Sequence, residues 1–276
     1  MYRAYWNLDE KPFRNTFSKK YFFYSKNYEE AYVRLLYSIT DVKGLFLLTS
    51  QGGCGKSFMN KILAKDMLEQ GHRIALIKNP NLTPTEFLQQ LLDEFGLDYK
   101  NKNKIELLNE LKQFVIENKK QKKLNILIID EAHLISNLST FEEIRLLLNL
   151  EEEERHLISI ILTGKTVLND ILRKVPSLLE RVELKYQIQP LDCEDTGRYI
   201  YFRLKKAGCG REIFSTDAIK EIYKYSGGIP RKINNICDLA LLLGYGENAI
   251  IIDQSLIMKA VTDLNYSKQV TNIDSR

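Results

Sequence analysis

Residues 44–60 read GLFLLTSQGGCGKSFMN. Gly44 to Thr49 form a short run that is apolar on both faces, which predicts a buried strand. Gly52, Gly53 and Gly55 follow, and Lys56 and Ser57 come directly after them. Phe58, Met59, Ile62, Leu63 and Met67 then recur at helical spacing. Strand, glycine loop and a helix opening on Lys-Ser form the context in which a phosphate-binding loop works. Glycines let backbone N–H groups turn around phosphate oxygens, and the helix N-terminus adds its positive dipole. The expected nucleotide contacts are Ser50, Gln51, Gly52, Gly53, Cys54, Gly55, Lys56, Ser57 and Phe58. Lys56 is expected to reach the β/γ-phosphates of ATP, and the Ser57 hydroxyl to ligate Mg²⁺.

The pattern departs from the usual one at its first position, where Ser50 stands in place of glycine. A non-glycine there needs a tolerable backbone angle, since positive φ is costly outside glycine. The plain alternative is a glycine-rich turn before an ordinary amphipathic helix. The strand before and the helix after favour phosphate binding.

The 276 residues allow one large or two modest domains. A hydrophobic content of 44% with 28% charged residues is that of a globular chain, and a net charge of +4 is too small to demand a polyanion. Cys54, Cys193, Cys209 and Cys237 are scattered, which suits a reduced compartment better than a disulfide framework. His72, His133 and His156 show no metal-ligand spacing. No signal-like stretch and no apolar run of membrane-spanning length is present. A soluble, cytoplasmic protein is the expectation.

Residues 1–24 carry nine aromatic side chains between Tyr2 and Tyr24. They offer a stacking surface for a base or, more plainly, a segment that pins itself onto the α/β core. A helix is expected from Asn27 to Thr40, a strand at Ile74–Ile77 and a helix opening at Thr83-Pro84. Residues 100–123 hold eight lysines against three glutamates, a local charge of +5. Ile105, Leu108, Leu111, Phe114 and Val115 are expected on the inner face of a helix there. A lysine-rich helix face is usually just solvated, and its sharper reading is contact with a phosphate backbone.

Leu124 to Asp130, LNILIID, is the second informative stretch. A buried strand running into Asp130 and Glu131 places two carboxylates at the C-terminal edge of a sheet, where open α/β sheets bind ligands. Asp130 would join the Mg²⁺ shell, and Glu131 would polarise a water for attack on the γ-phosphate. Capping of the next helix is the alternative use of two acids. Further on, a helix is expected at Thr140–Leu150, with residues 151–154 as its solvated end. A strand at Leu157–Leu162 ends in Thr163-Gly164-Lys165, where Thr163 and Lys165 are candidates to sense the γ-phosphate. Val167 to Val182 reads as helix broken at Pro176 and carries Arg173 and Arg181. Lys185–Ile188 is the last strand.

Residues 190–265 read as helices only, at Cys193–Ala207, Ser215–Tyr225, Arg231–Leu243 and Asp253–Leu264, with glycine-rich separators at 208–210, 227–228 and 244–246. The expected domains are therefore 1–189, 190–265 and a flexible tail at 266–276. Arg231 opens a helix after two glycines, and a cation there opposes the helix dipole, which favours a functional role.

In this order, the phosphate loop, NILIIDEAH, ISIILTGK and GGIPRKIN resemble the AAA+ ATPases, specifically their ExeA-like branch. The resemblance covers about residues 1–265. It implies an α/β P-loop domain with a five-stranded parallel sheet between helices, followed by a small all-helical lid. It implies ATP and Mg²⁺ as cofactors, with Lys56 and Ser57 as Walker A and Asp130 and Glu131 as Walker B. Thr163 or Lys165 lies near sensor 1, and Arg231 matches sensor 2. Arg181 occupies the region of the trans-acting finger, with Arg173 as the lesser candidate, so catalysis would depend on self-association into a ring or filament. The Ser50 departure bears on turnover more than on binding.

Two tasks fit this resemblance. One is a DNA-associated ATP switch, similar to the TnsC, TniB and MuB regulators, which would recruit a transposase; the lysine-rich segment favours it. The other is an ExeA-like factor in secretion-apparatus assembly, a role that calls for a membrane span and a wall-binding domain. Neither is expected within these 276 residues. A slowly hydrolysing nucleotide-binding scaffold is the third possibility.

Overall fold

The computed structural model describes residues 1–153 and 155–266, which divide into two compact units. The first unit comprises residues 27–52 and 56–188. Its sheet is built from β1 (Leu45–Ser50), β2 (Arg73–Ile77), β3 (Asn125–Ile129), β6 (Ser159–Lys165) and β7 (Val182–Ile188), all parallel, in the order β2-β3-β6-β1-β7. Between β3 and β6, β4 (Glu151–Glu152) and β5 (Arg155–His156) form a small antiparallel hairpin. The expected solvated helix end at 151–154 is therefore a hairpin, apart from residue 154, which lies outside the described residues.

Side chains alternate across a strand, so the two faces of the sheet can be assigned separately. Leu45, Leu47, Leu127, Ile129, Ile160 and Leu162 join one core with α4 (Pro84–Glu94), α5 (Lys104–Lys120) and α6 (Leu138–Leu147). The alternate residues Phe46, Leu48, Ile126, Ile128 and Ile161 are equally buried, so the central strands are covered on both faces. This is why they read as unbroken apolar runs. The edge strand β7 instead exposes Glu183, Lys185 and Gln187, charge and polarity that discourage pairing with another chain.

Helices α2 (Lys26–Thr40), α3 (Lys56–Glu69), α7 (Leu168–Leu172) and α8 (Pro176–Leu179) complete this unit. α4 starts where Thr83-Pro84 predicts, with a full capping box between Thr83 and Glu86. α5 differs from expectation. Leu107, Leu111 and Val115 face the core and Ile105 is 71% exposed, a rotation of the apolar stripe. Its buried Asn118 donates to Asn125 of β3 (2.7 Å), and Asn125 in turn donates to the Val115 and Leu157 carbonyls. That polar tie fixes which face of α5 turns inward.

The second unit comprises residues 1–26, 53–55 and those from 189 onward. It contains α1 (Tyr2–Tyr5), α9 (Cys193–Lys206), α10 (Thr216–Ser226), α11 (Pro230–Gly246) and α12 (Gln254–Asp263). Two expectations are corrected here. The aromatic N-terminal segment belongs to this helical unit and is anchored on its helices. Trp6 is fully buried and donates from Nε1 to the Leu241 carbonyl (2.9 Å), and the Tyr2 hydroxyl bonds to Asp238. Buried Arg203 of α9 donates to the carbonyls of Pro12 (2.6 Å) and Arg14 (2.9 Å), clasping the segment by its backbone. Gly244 and Gly246 are not separators either; both lie in the last turn of α11. A Cβ at Gly244 would come within 2.9 Å of the Trp6 ring, so the glycine makes room for the aromatic segment.

The expected tail lies outside the described residues beyond Tyr266, whose hydroxyl accepts from Asn235. No helix among the described residues is long and apolar enough to cross a membrane.

Candidate functional site

Parallel strands bring their C-terminal ends to one edge. β1 ends at Ser50, opposite Lys165 of β6, and β3 ends at Ile129, opposite Leu162. The glycine loop and the Asp130-Glu131 pair thus leave the sheet on the same side, the side where such sheets bind ligands.

Lys56 opens α3 with only 4% of its surface exposed. Its Nζ lies 2.9 Å from Ser50 Oγ and 3.5 Å from the Ser50 and Gln51 carbonyls. The Ser50 hydroxyl gives its proton to the Gln51 carbonyl (2.7 Å) and offers a lone pair to the ammonium. Ser50 ends an extended strand, where any residue fits. The positive angles fall on Gly53 (+88°) and Gly55 (+89°) instead. Ser50 has the tolerable backbone angle that a non-glycine needs there, and a glycine would remove a hydrogen bond to Lys56. Within the helical unit, the Gly53 carbonyl accepts from the Arg231 N–H (3.3 Å), and a Cβ at Gly53 would sit 2.9 Å from Ile229 Cγ2. Arg231 itself is exposed at the second position of α11. The turn before it needs Gly228, because a Cβ there would fall 1.8 Å from the Leu191 carbonyl oxygen.

Asp130 is 6% exposed, and its Oδ1 accepts from Thr163 Oγ1 (2.8 Å) and from the Glu131 N–H (3.0 Å). Thr163 Oγ1 in turn accepts from Asn60 Nδ2 (2.9 Å). This corrects the expectation for Thr163. Strand β6 continues to Lys165, so Thr163 is an interior residue whose side chain alternates inward. It is fully buried and bonded to Asp130, with no surface left to meet a phosphate. Lys165, at the exposed end of β6, is the better placed of the two; its Cε lies 3.7 Å from a Cβ built on Gly52. Asn60 was not singled out by sequence, since an Asn in an amphipathic helix gives no signal of its own. Its Oδ1 is buried with no hydrogen-bond partner, which costs about 1–3 kcal/mol.

Glu131 adopts a left-handed conformation (φ +52°), unusual for a non-glycine and of the kind that clusters at functional sites. Its side chain is one-third exposed. Oε2 stands 3.4 Å from His133 Nδ1, the same nitrogen that accepts from the Lys165 N–H at 3.4 Å. Burial, the leading cause, holds His133 below the usual histidine range, with the Lys165 and Lys56 charges acting the same way and Glu131 opposing them. The ring is therefore neutral at pH 7. While Nδ1 accepts from Lys165 it has no proton to offer Glu131.

Ser57 and Phe58 are half-buried, and Cys54 is fully buried. Ser57 and Asp130 offer one hydroxyl and one carboxylate, the hard-oxygen pair that suits Mg²⁺ bound together with phosphate oxygens. Among the described residues no cluster of three His, Cys, Asp or Glu forms a protein-only metal cage. Arg181 is exposed between α8 and β7 and makes no ion pair among the described residues. Arg173, by contrast, is paired with Asp170 at 2.6 Å.

Residues 39–172 match the family model described as AAA domain. The chain is 35% identical over 253 residues to General secretion pathway protein A of Aeromonas hydrophila, covering 90% of this chain and 46% of that protein. It is 23% identical to an uncharacterized HTH-type transcriptional regulator of Methanocaldococcus jannaschii, covering 78% of this chain and 62% of that one. The chain thus spans about half to three-fifths of the curated relatives it matches. Among solved structures, Drosophila ORC bound to DNA superposes with a TM-score of 0.70 at 15% identity, covering 93% of this chain and 65% of that one. The sheet order, the strand–glycine loop–helix junction and the AAA domain match give this chain a P-loop NTPase fold of the AAA+ type, and over most of its length it is similar to General secretion pathway protein A.

Proposed function

We propose that this chain binds and hydrolyses ATP with Mg²⁺ and uses the nucleotide state to drive its own assembly. The observation that carries this is the gathering of buried Lys56 and Asp130 with the partly exposed Glu131 at one sheet edge. Ser50 to Phe58 would cradle the phosphates, with Lys56 on the β/γ oxygens, and Ser57 and Asp130 would hold the metal. Bound Mg²⁺ would supply charge neutralisation at the phosphates. Glu131 would take the proton of the attacking water, Lys165 would face the γ-phosphate, Arg231 would keep the sensor role its GGIPRKIN motif suggests, and Arg181 would complete the site of a neighbouring subunit.

Lys56→Ala tests the site directly. It removes the cation of the cradle, and losing one partner of a buried charge pair costs about 2–5 kcal/mol. ATP affinity is expected to fall roughly a hundredfold by equilibrium titration, about 3 kcal/mol. Wild-type affinity in that variant would move the nucleotide elsewhere.

For the task, similarity over 90% of the chain to General secretion pathway protein A supports a role in secretion-apparatus assembly. The lysine-rich segment supports a DNA-associated switch of the transposition type less than its charge suggests. Lys102 pairs with Glu110, Lys104 with Glu143, and Lys119 with Glu152 and Glu153. Lys119 and Lys120 also sit in the last turn of α5, where cations complement the helix dipole. Exposed Lys112, Lys120 and Lys122 keep the DNA reading alive. Duplex DNA binding, measured with and without an ATP analogue across salt, separates the two tasks. The secretion reading expects no ATP-dependent binding at low salt. A DNA switch would bind, and would weaken steeply with salt as counterions are released.

A further inference from the structure

The Asn60–Thr163–Asp130 chain links the phosphate-loop helix α3, strand β6 and the acid that follows β3. Its direction is set by chemistry. An ionised carboxylate only accepts, and a threonine hydroxyl has one proton. At 2.8 Å that proton goes to Asp130 Oδ1 in preference to the Ile129 carbonyl at 3.3 Å, so Asn60 must donate through Nδ2. Asn60 Oδ1 is thereby left buried without a donor. A polar chain that ends on an unsatisfied acceptor does not improve packing, since two apolar side chains of the same shape would avoid the penalty. What the chain does is occupy one oxygen of Asp130. Oδ1 holds both the Thr163 and the Glu131 donors, while Oδ2 takes no hydrogen bond among the described residues.

We propose that Asn60 and Thr163 are positioning residues for the Mg²⁺ site, holding Asp130 through Oδ1 so that Oδ2 faces the metal's shell. This rests on the nucleotide reading above. Partners of this kind orient metal-binding groups, and their removal typically weakens metal binding 10- to 100-fold.

The test uses the full chain, a fluorescent ATP analogue and Mg²⁺ titrations, with EDTA controls and thermal melts. In Asn60→Leu/Thr163→Val the Mg²⁺ concentration that half-restores nucleotide affinity is expected to rise roughly tenfold. Affinity in EDTA should match the wild type, and the melting temperature should stay level or rise. Thr163→Ser keeps the hydroxyl and should restore the wild-type Mg²⁺ requirement. An unchanged Mg²⁺ requirement in the double variant, beside a Mg²⁺-dependent wild type, overturns the positioning role and leaves the nucleotide site standing. A lowered melting temperature with equal losses in EDTA and Mg²⁺ shows a structural role and overturns it as well. A wild-type chain that binds no nucleotide with Mg²⁺ removes both.

Discussion

Glu131→Gln is expected to bind ATP within about twofold of wild type and to hydrolyse it roughly 10²- to 10⁴-fold more slowly, the range for loss of a general base. The amide keeps the size and hydrogen-bonding reach of the carboxylate but cannot accept the proton of an attacking water. The surroundings favour this role. Glu131 is held in a left-handed backbone conformation immediately after Asp130, and its neighbour His133 is kept neutral by burial. Single-turnover phosphate release beside equilibrium nucleotide binding separates the two steps. Unchanged turnover would mean that another group positions the water. Unchanged turnover together with wild-type binding in Lys56→Ala would remove the hydrolytic site altogether. The bound, unhydrolysed state should also keep subunits assembled, so light scattering with ATP should persist in this variant after the wild type has decayed.

The sheet was legible because its central strands are covered on both faces and so read as unbroken apolar runs ending in functional residues. β1 and β3 run straight into Ser50 and Asp130. β7 was found only in its last part, since alternating exposed residues such as Glu183 and Lys185 hide an edge strand among surface patterns. The placement of the N-terminal aromatics was not legible. Sequence shows that Trp6 and Tyr2 want burial, but their partners, Leu241 and Asp238, lie more than 200 residues away. Gly244 looked like a turn for the same reason, because the ring that requires its small size comes from that distant segment. In the site, Lys56, Asp130 and Glu131 announce themselves through motif spacing. Asn60 and the true orientation of Thr163 do not, because their roles exist only once α3, β3 and β6 are brought together. Ser50 was legible as an exception but not as a solution: its hydroxyl holds Lys56, which a pattern of glycines cannot express.

Arg181→Ala is expected to lower ATP turnover roughly a thousandfold or more while leaving nucleotide binding to a single subunit intact, the scale on which an arginine finger acts. The structure separates the two candidate arginines. Arg173 is paired with Asp170 on its own short helix, whereas Arg181 is exposed and makes no ion pair among the described residues. An exposed guanidinium that makes no ion pair among the described residues is available to a chain that packs beside it, where it would meet the charge developing on the γ-phosphate. Mixing tests this geometry. An Arg181→Ala subunit retains Glu131, and a Glu131→Gln subunit retains Arg181, so each is inactive alone, yet one kind of mixed interface holds both groups. With random assembly of equal amounts, about a quarter of interfaces carry the intact pair, so turnover should recover to roughly a quarter of wild type. The same recovery should be absent when Arg181→Ala is mixed with a subunit carrying both changes. Activity that fails to return on mixing, with assembly intact by light scattering, would place the finger on another residue. Full activity in Arg181→Ala alone would show that turnover needs no arginine at this position.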